Sequence, residues 1–452
     1  MSRARGGGET VETAQPSADG PRLHRVIGLR DAITLGVGGT IGGGVFVLIG
    51  AAAGLAGPAV LLSFLLAFAA SLVIALPYAE LATRFPLAGG GYAVVRAVLG
   101  PWWGFVMGWV YWGAYLGLSG FVTLGFGGYL ARLTGMPVLL GAVLLVAAST
   151  GMNLLGLKLS SRAQAAVLIT AAVALVAFAL IGVFHLHADL LTPVLPRGWA
   201  GLLAGALLTF LSLNGYDVVA AAGEEIRHPE RNLPLAMLGT LALVLVLYLG
   251  VALAAVGTLP WSSLGSSSSP LADVADVVFG DKGRVLMAVA AVLTTAATGN
   301  AVLVVCSRIS FAMARDGLLP RRLATVNRRG APSVAIVVTA GFLVAVALTG
   351  SVRFASSSGG WLYLVHFVLL LAALIVLRRR GGSRAAFRTP LPRVVIPLAF
   401  LACAVLFASA GPIGTVTGVT WLIVGAAGYR LAGRWTDRRT AVADSPGNPD
   451  RE

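Results

Sequence analysis

The sequence predicts an all-α polytopic membrane protein with twelve transmembrane helices, the first and sixth of them broken near their middles. Three observations lead there. Hydrophobic residues make up 57% of the 452 and charged residues only 11%, with a mean hydropathy of +0.88, whereas a soluble domain carries about 25% charged residues. Apolar runs long enough to cross a hydrocarbon layer of about 30 Å recur along the whole chain. Two of these runs are interrupted by residues that weaken a helix: the glycines between Thr34 and Ile49, and Asn214-Gly215.

Residues 1–24 are polar, rich in Gly, Arg and Glu, and lack an apolar core, which predicts a disordered cytoplasmic tail in place of a signal peptide. Spans follow near 31–57, 59–83, 98–130, 137–157, 163–186, 199–223, 233–257, 284–313, 333–350, 360–377, 394–410 and 412–430. The third and eighth are long enough to require tilting. A second disordered tail is expected over 431–452.

Within the first span, Gly36, Gly38, Gly39, Gly42, Gly43 and Gly44 crowd together between Val, Ile, Phe and Leu. Each glycine costs a helix interior roughly 1 kcal/mol against alanine, so the cluster predicts an opened backbone. In lipid such a backbone survives only where protein or a water-filled cavity meets its freed N–H and C=O groups. Amides at the start of the second half-helix then suit a carboxylate, and carbonyls ending the first suit an ammonium. Close helix packing is the competing explanation, but packing motifs space small residues four apart on one face, and Gly42-Gly43-Gly44 faces every direction. A phosphate loop would need a following Lys-Ser/Thr, which is missing.

The sixth span, FLSLNGYDVVAAAGEE, carries Ser212, Asn214, Gly215 and Asp217 at mid-depth. Asn and Gly weaken a helix, and an acidic group at that depth needs a partner or water. Asp217 fits a proton carrier, a counter-ion or a helix-pairing residue. Interruptions at corresponding places in two halves of a chain point to an inverted-repeat transporter with its site where the broken helices cross.

A net charge of +15 would suggest nucleic acid in a soluble protein, but here the basic residues sit in alternate short loops. One set of loops holds Arg84 and Arg96, Lys158 and Arg162, Arg227 and Arg231, Arg315 to Arg329, and Arg378 to Arg388. The other set holds little beyond Arg132, Arg197, Lys282, Arg284 and Arg353. This asymmetry predicts cytoplasmic termini and a lipid bilayer, not nucleic acid, as the partner of the charge. Trp102, Trp103, Trp199, Trp261 and Trp361 suit interface anchors, while Trp109 and Trp112 lie deeper. Cys306 and Cys403 fall inside apolar runs, which argues against a disulfide framework. Nothing in the sequence sets an oligomeric state.

Several stretches resemble the amino acid–polyamine–organocation family of secondary transporters. Gly36-Val37-Gly38-Gly39-Thr40-Ile41-Gly42-Gly43-Gly44-Val45-Phe46 is similar to that family's first-span GxGxxIGxGIF. Tyr78-Ala79-Glu80-Leu81 with Arg84 to Tyr92 resembles YAEL…RFPxAGGxY, followed by Gly108-Trp109. Gly215-Tyr216-Asp217, Glu224-Glu225 and Asn232-Leu233-Pro234 resemble GFD…EE…NxP, and Ser307-Arg308-Ile309 with Met313 to Pro320 resembles the eighth-span ending. The resemblance implies alternating access through a five-plus-five inverted repeat, with a first repeat over 25–186, a second over 199–380 and two further helices over 390–430. It implies that the amides of Gly43 and Gly44 hold a substrate carboxylate and the carbonyls of Thr40, Leu211 and Asn214 its amino group. Ile41, Gly42, Phe210, Ser212 and Gly215 complete the expected binding set.

Three positions depart from the family pattern. Leu211, with Phe210 beside it, stands where relatives carry a bulky aromatic gate. Ala171 stands seven residues after Gln164, where some proton-coupled relatives carry lysine. Asn214 replaces an apolar residue, and its amide suits a polar substrate side chain.

Glu80, Glu224, Glu225, Arg84, Arg308 and Arg315 fall near expected cytoplasmic ends, as a gating network or as solvated interface charges. Thr294, Thr295 and Thr298 could offer hydroxyls to Na⁺ or bond their own i−4 carbonyls. His366 reads as packing. No nucleophile–base set and no metal-ligand spacing appears, so catalysis is not expected and no cofactor is implied. The sum is a plasma-membrane transporter importing a small or neutral amino acid with H⁺ as the coupling ion and Na⁺ as the alternative. Amino acid/amine antiport, cationic amino-acid or polyamine transport, and (from a different class) a channel or nutrient sensor compete with it.

Overall fold

The computed structural model describes residues 25–85, 90–156, 161–223, 225–380 and 387–443. The expected N-terminal tail, Pro86 to Gly89 of the second-span motif, Lys158, Glu224, Arg384 and residues 444–452 lie outside the described residues. Everything else is helix and short connections. Helices α1 (Leu29–Thr40) and α2 (Ile49–Ala56) flank a single π-helical turn, Gly44–Leu48; the chain then turns at Gly57 into α3 (Val60–Arg84). A short α4 (Gly90–Leu99) precedes α5 (Pro101–Thr134), α6 (Val138–Leu154) and α7 (Ser161–Gly182). Then come α8 (Gly198–Leu213), α9 (Tyr216–Ala221), α10 (Pro229–Thr258), α11 (Trp261–Ser266) and α12 (Pro270–Arg315), the last bent at Gly280, where φ is +68°. Helices α13 (Ser333–Leu348), α14 (Val352–Arg379), α15 (Pro392–Ser409) and α16 (Gly411–Ala443) complete the chain. The last helix continues past residue 430, so helix occupies the start of the stretch expected as tail.

Nine segments among the described residues are long and apolar enough to cross a membrane. The first of these runs from Leu29 to Arg84 and includes the turn at Gly57, and two shorter apolar helices, Val138–Leu154 and Ser333–Leu348, lie between the long ones. The protein is therefore an all-α, multi-pass membrane protein. Its single described strand-like contact is a parallel bridge in which Ile27 N donates to Glu225 O (3.0 Å) and Arg227 N to Ile27 O (2.9 Å), joining the lead-in of α1 to the segment after α9.

Helix α5 forms the spine, packed against α6, α12 and α14. Beside it a second group forms, with α1 against α9 and α10, α2 against α8, and α3 between α8 and α10. Helices α15 and α16 lie outside these groups, against α3 and α14. The outermost helix is fastened by a reciprocal pair. Trp109 Nε1 donates to Trp421 O (2.7 Å), Trp421 Nε1 donates to Trp109 O (2.9 Å), and the two rings stack at 4.6 Å. The deep tryptophans thus tie α5 to α16, while Trp199 is 70% exposed, as an interface anchor would be.

Candidate functional site: a cavity between two broken helices

The first break begins at Ile41, which is extended (φ −70°, ψ 90°) after the last turn of α1, and helical winding resumes through the π-turn at Gly44. The second lies at Asn214 (φ −80°, ψ 106°) and Gly215 (φ −155°, ψ −9°), between α8 and α9. The breaks press on one another. A methyl group on Gly44 would sit 3.1 Å from Ser212 Cα, a tight contact, and one on Gly215 would overlap the Thr40 hydroxyl and sit 2.8 Å from Thr40 N, so Gly215 requires glycine.

A cavity of about 970 Å³ adjoins both breaks. Thr40, Ile41, Gly42, Gly43, Gly44, Leu211, Ser212, Asn214, Asp217 and Thr298 line it. It extends past Thr34 of α1, Gln164 of α7 and Asn300 of α12, on the side where α1 begins and α12 ends. Away from the breaks its wall is largely aliphatic, with Leu118 and Val122 of α5, Leu145 of α6 and Leu168 of α7. Asp31 and Asp217 are the charged residues in that wall, which contains no Arg, Lys or His among the described residues.

Free dipoles at the breaks can be followed atom by atom. The first amides of any helix lack intrahelical acceptors, so the start of the second half-helix offers donors at Gly43 and Gly44. On the acceptor side, Thr40 O already receives Tyr248 Oη (2.9 Å), leaving it one lone pair. Phe210 O receives Asn214 Nδ2 (2.9 Å), while the Asn214 Oδ1 atom is buried without a partner. The Thr40 and Ser212 hydroxyls are turned back on Gly36 O (2.7 Å) and Thr209 O (2.7 Å). The site therefore presents mostly backbone groups.

Asp217, only 2% exposed, closes one end. Its Oδ2 accepts from Tyr115 Oη (3.2 Å), Tyr111 Oη (3.5 Å) and Tyr363 Oη, so α5 and α14 together hold the start of α9. His366 stacks on Tyr111 (4.7 Å) and Tyr363 (5.5 Å) with neither ring nitrogen hydrogen-bonded, which supports its reading as packing. The tyrosine cluster was not anticipated from sequence. Its one signal is the i,i+4 pair Tyr111 and Tyr115, which shares a helix face; Tyr363 arrives from far along the chain.

Two residues of the expected binding set stand elsewhere. Phe210 is fully buried against Phe367 (5.9 Å) and does not line the cavity, so it is not an aromatic gate there. Gly215 contacts Thr40 behind the wall and serves spacing. Thr294, Thr295 and Thr298 donate to Ala290 O, Ala291 O and Thr294 O, the i−4 pattern, at 2.6, 2.6 and 2.9 Å. Thr298 Oγ1 nonetheless lies 2.5 Å from where a Gly42 Cβ would stand.

The expected charge network is real in part but differently wired. Glu80, 0% exposed, accepts from Arg84 Nη2 (2.8 Å), from Arg378 Nε (3.2 Å) and Nη2, and from Thr389 N (2.9 Å) and Oγ1 (2.7 Å). Its partners beyond its own helix thus come from α14 and the connection to α15. Arg308 is exposed and makes no ion pair among the described residues, and Glu80 is answered by Arg84 and Arg378. Among the described residues Arg315 pairs only with its neighbour Asp316, at 3.9 Å; Asp316 also pairs with Arg96 and accepts from Tyr92 Oη (2.8 Å). Burial and that hydrogen bond push the Tyr92 hydroxyl up to about 12, so it acts as a neutral donor.

A multi-pass helical bundle with a cavity at two backbone breaks is an architecture that suits a membrane transporter. The sequence profile described as "Amino acid permease" matches residues 27–428. The chain belongs to that family, whose members are permeases and not enzymes. It is 31% identical to a branched-chain amino acid permease, BcaP, of Bacillus subtilis (strain 168), covering 91% of this chain and 94% of that one. It is 29% identical to a methylthioribose transporter of the same strain (94% and 96%). Over 68% of this chain and 58% of the relative it is 34% identical to cationic amino acid transporter 9, chloroplastic, of Arabidopsis thaliana.

Proposed function

We propose that this permease is a secondary active transporter importing a small or neutral amino acid across the plasma membrane by proton symport, through alternating access. The observation that carries the reading is the meeting of two backbone breaks at one cavity wall. A carboxylate on the Gly43 and Gly44 amides and an ammonium on Leu211 O, Asn214 O and the spare lone pair of Thr40 O would satisfy both breaks at once. Counting the turn at Gly57 as the junction of two spans and adding the two shorter apolar helices supports a count of twelve. The breaks' positions, one opening each half, favour the five-plus-five repeat. The arginine-bearing loops favour a cytoplasmic face at the beginning of α1.

A neutral substrate is preferred on charge grounds. An acidic side chain would find no cation in the wall. A basic one would compete for Asp217 with three tyrosine hydroxyls, and separating a buried carboxylate from such donors costs about 1.5–3 kcal/mol for each bond. Asp217 is in this reading the proton carrier, since protonation replaces an acceptor by a donor facing those phenols. Sodium coupling is the second reading, favoured by Thr298 lying against Gly42. Uptake of a panel of labelled amino acids into proteoliposomes, under a pH gradient, a Na⁺ gradient or neither, tests all of this. Concentrative, saturable uptake driven by an acidic exterior is expected. Accumulation that needs Na⁺ rejects proton coupling, acceleration only by internal amino acid indicates antiport, and non-saturating flux indicates a channel.

A further inference from the structure

The wall of the cavity contains many polar side chains, but most have spent their protons. The hydroxyls of Thr34, Thr40, Ser212, Thr294 and Thr298 donate to carbonyls of their own helices. Those of Tyr115 and Tyr363 go to Asp217, and one N–H of the Asn214 amide goes to Phe210 O, its second staying beside the breaks. What remains away from the breaks is the amide nitrogen of Asn300, together with the Ser149 hydroxyl and, at the mouth, Gln164.

Asn300 is held in a fixed orientation. Its Oδ1 accepts from Asn153 Nδ2 (2.8 Å), which also donates to Ser149 O (2.7 Å). The end of α6 carrying Asn153 is itself capped, since Asn327 Nδ2 donates to Leu154 O (2.9 Å). With its oxygen tied to α6, Asn300 keeps its NH₂ unspent, and Asn300 lines the cavity whereas Asn153 does not. It lies two residues beyond Thr298, about 3 Å further along the α12 axis toward the arginine-bearing face. Its wall neighbours Ala297, Ala301 and Met152 offer no competing donor.

We infer that Asn300, with Ser149, forms a second station for the substrate carboxylate, occupied after it leaves the Gly43 and Gly44 amides and before it reaches the arginine-bearing face; Asn153 is its positioning residue. This rests on the transport reading above. Between the breaks and Gln164 at the mouth, a departing carboxylate would otherwise meet a largely aliphatic wall. A simple interhelical bond between α6 and α12 is the ordinary role of paired amides in membranes, and one substitution separates the two. Asn300→Asp keeps the oxygen that Asn153 uses while replacing the free NH₂ by a second oxygen.

The test is transport in oriented proteoliposomes, probed with whichever of the twenty labelled amino acids the wild type accumulates fastest, with KM measured separately from each face at pH 8. Asn300→Asp is expected to raise KM from the arginine-bearing face about tenfold or more, the loss appropriate to a hydrogen bond to a charged group, and to leave KM from the opposite face within about twofold. Ser149→Ala should raise the same KM severalfold, and decides the matter if Asn300→Asp does not insert. An unchanged or lowered KM from the arginine-bearing face in the variant read, or an equal change from both faces, overturns the station. A wild type that accumulates none of the twenty brings down the transport reading itself, and the station with it.

Discussion

At Gly43 the backbone offers an amide where a side chain would obstruct it, since a Cβ there would meet Val122 Cγ2 at 2.5 Å. Proline removes the amide and adds bulk at once. Gly43→Pro is expected to abolish uptake while the protein still inserts and migrates as a monodisperse species in detergent; full uptake by that variant would remove the amide from the site. Asp217 is the second residue on which much turns. Tyr363→Phe deletes one of three hydroxyls on a buried carboxyl, leaving an acceptor short by about 1–3 kcal/mol. It should lower the melting temperature by a few degrees and slow transport. Tyr111→Phe, whose bond is the longest at 3.5 Å, should do less of both. The order of the two variants, read by thermal unfolding, is the decisive measurement. These hydroxyls were invisible in the sequence because their contact unites positions more than one hundred residues apart.

Among the elements, the two broken helices were legible in advance. Glycine clusters and Asn-Gly pairs cost a helix locally, so their effect does not wait for tertiary partners. Which residues beside a break face the cavity was less legible: Phe210 and Leu211 are adjacent, and only the rotation of α8 against α14 sends Phe210 to Phe367 and Leu211 to the cavity. The clamp on Glu80 belongs to this scale as well. It fastens α3 to the end of α14 and to the connection leading into α15. Removing one partner of a fully buried ion pair typically costs about 3–5 kcal/mol; with Arg378 25% exposed and Glu80 keeping Arg84 and Thr389, the loss here falls below that range. Arg378→Ala is therefore expected to destabilise the purified protein clearly, whereas Arg308→Ala, on an exposed side chain, should leave its melting temperature unchanged. Equal stability of the two variants would show the clamp to be slack.

For the whole molecule, the prediction is about driving force. A protein that binds substrate and ion at one cavity and exposes that cavity to one face at a time accumulates substrate only while an ion gradient is imposed. Collapse of the pH gradient with a protonophore should end accumulation and leave exchange of pre-loaded substrate intact. Accumulation that persists without any gradient would contradict secondary transport altogether.

Hydropathy, loop charge and backbone-weakening residues are properties of short stretches, and in a bilayer they act almost alone, because an unsatisfied peptide group in hydrocarbon is so costly that most are met within their own helix. The sequence by itself therefore determined the all-helical membrane class, the places of the helices and the breaks at Ile41 and Asn214. Only the tertiary structure decided that Tyr111, Tyr115 and Tyr363 surround Asp217, that Arg378 and not Arg308 answers Glu80, and that Asn300 keeps a free amide in the cavity wall. Each of those depends on how one helix is rotated against another, and that rotation is set by side-chain packing summed over many neighbours, which no local stretch of sequence contains.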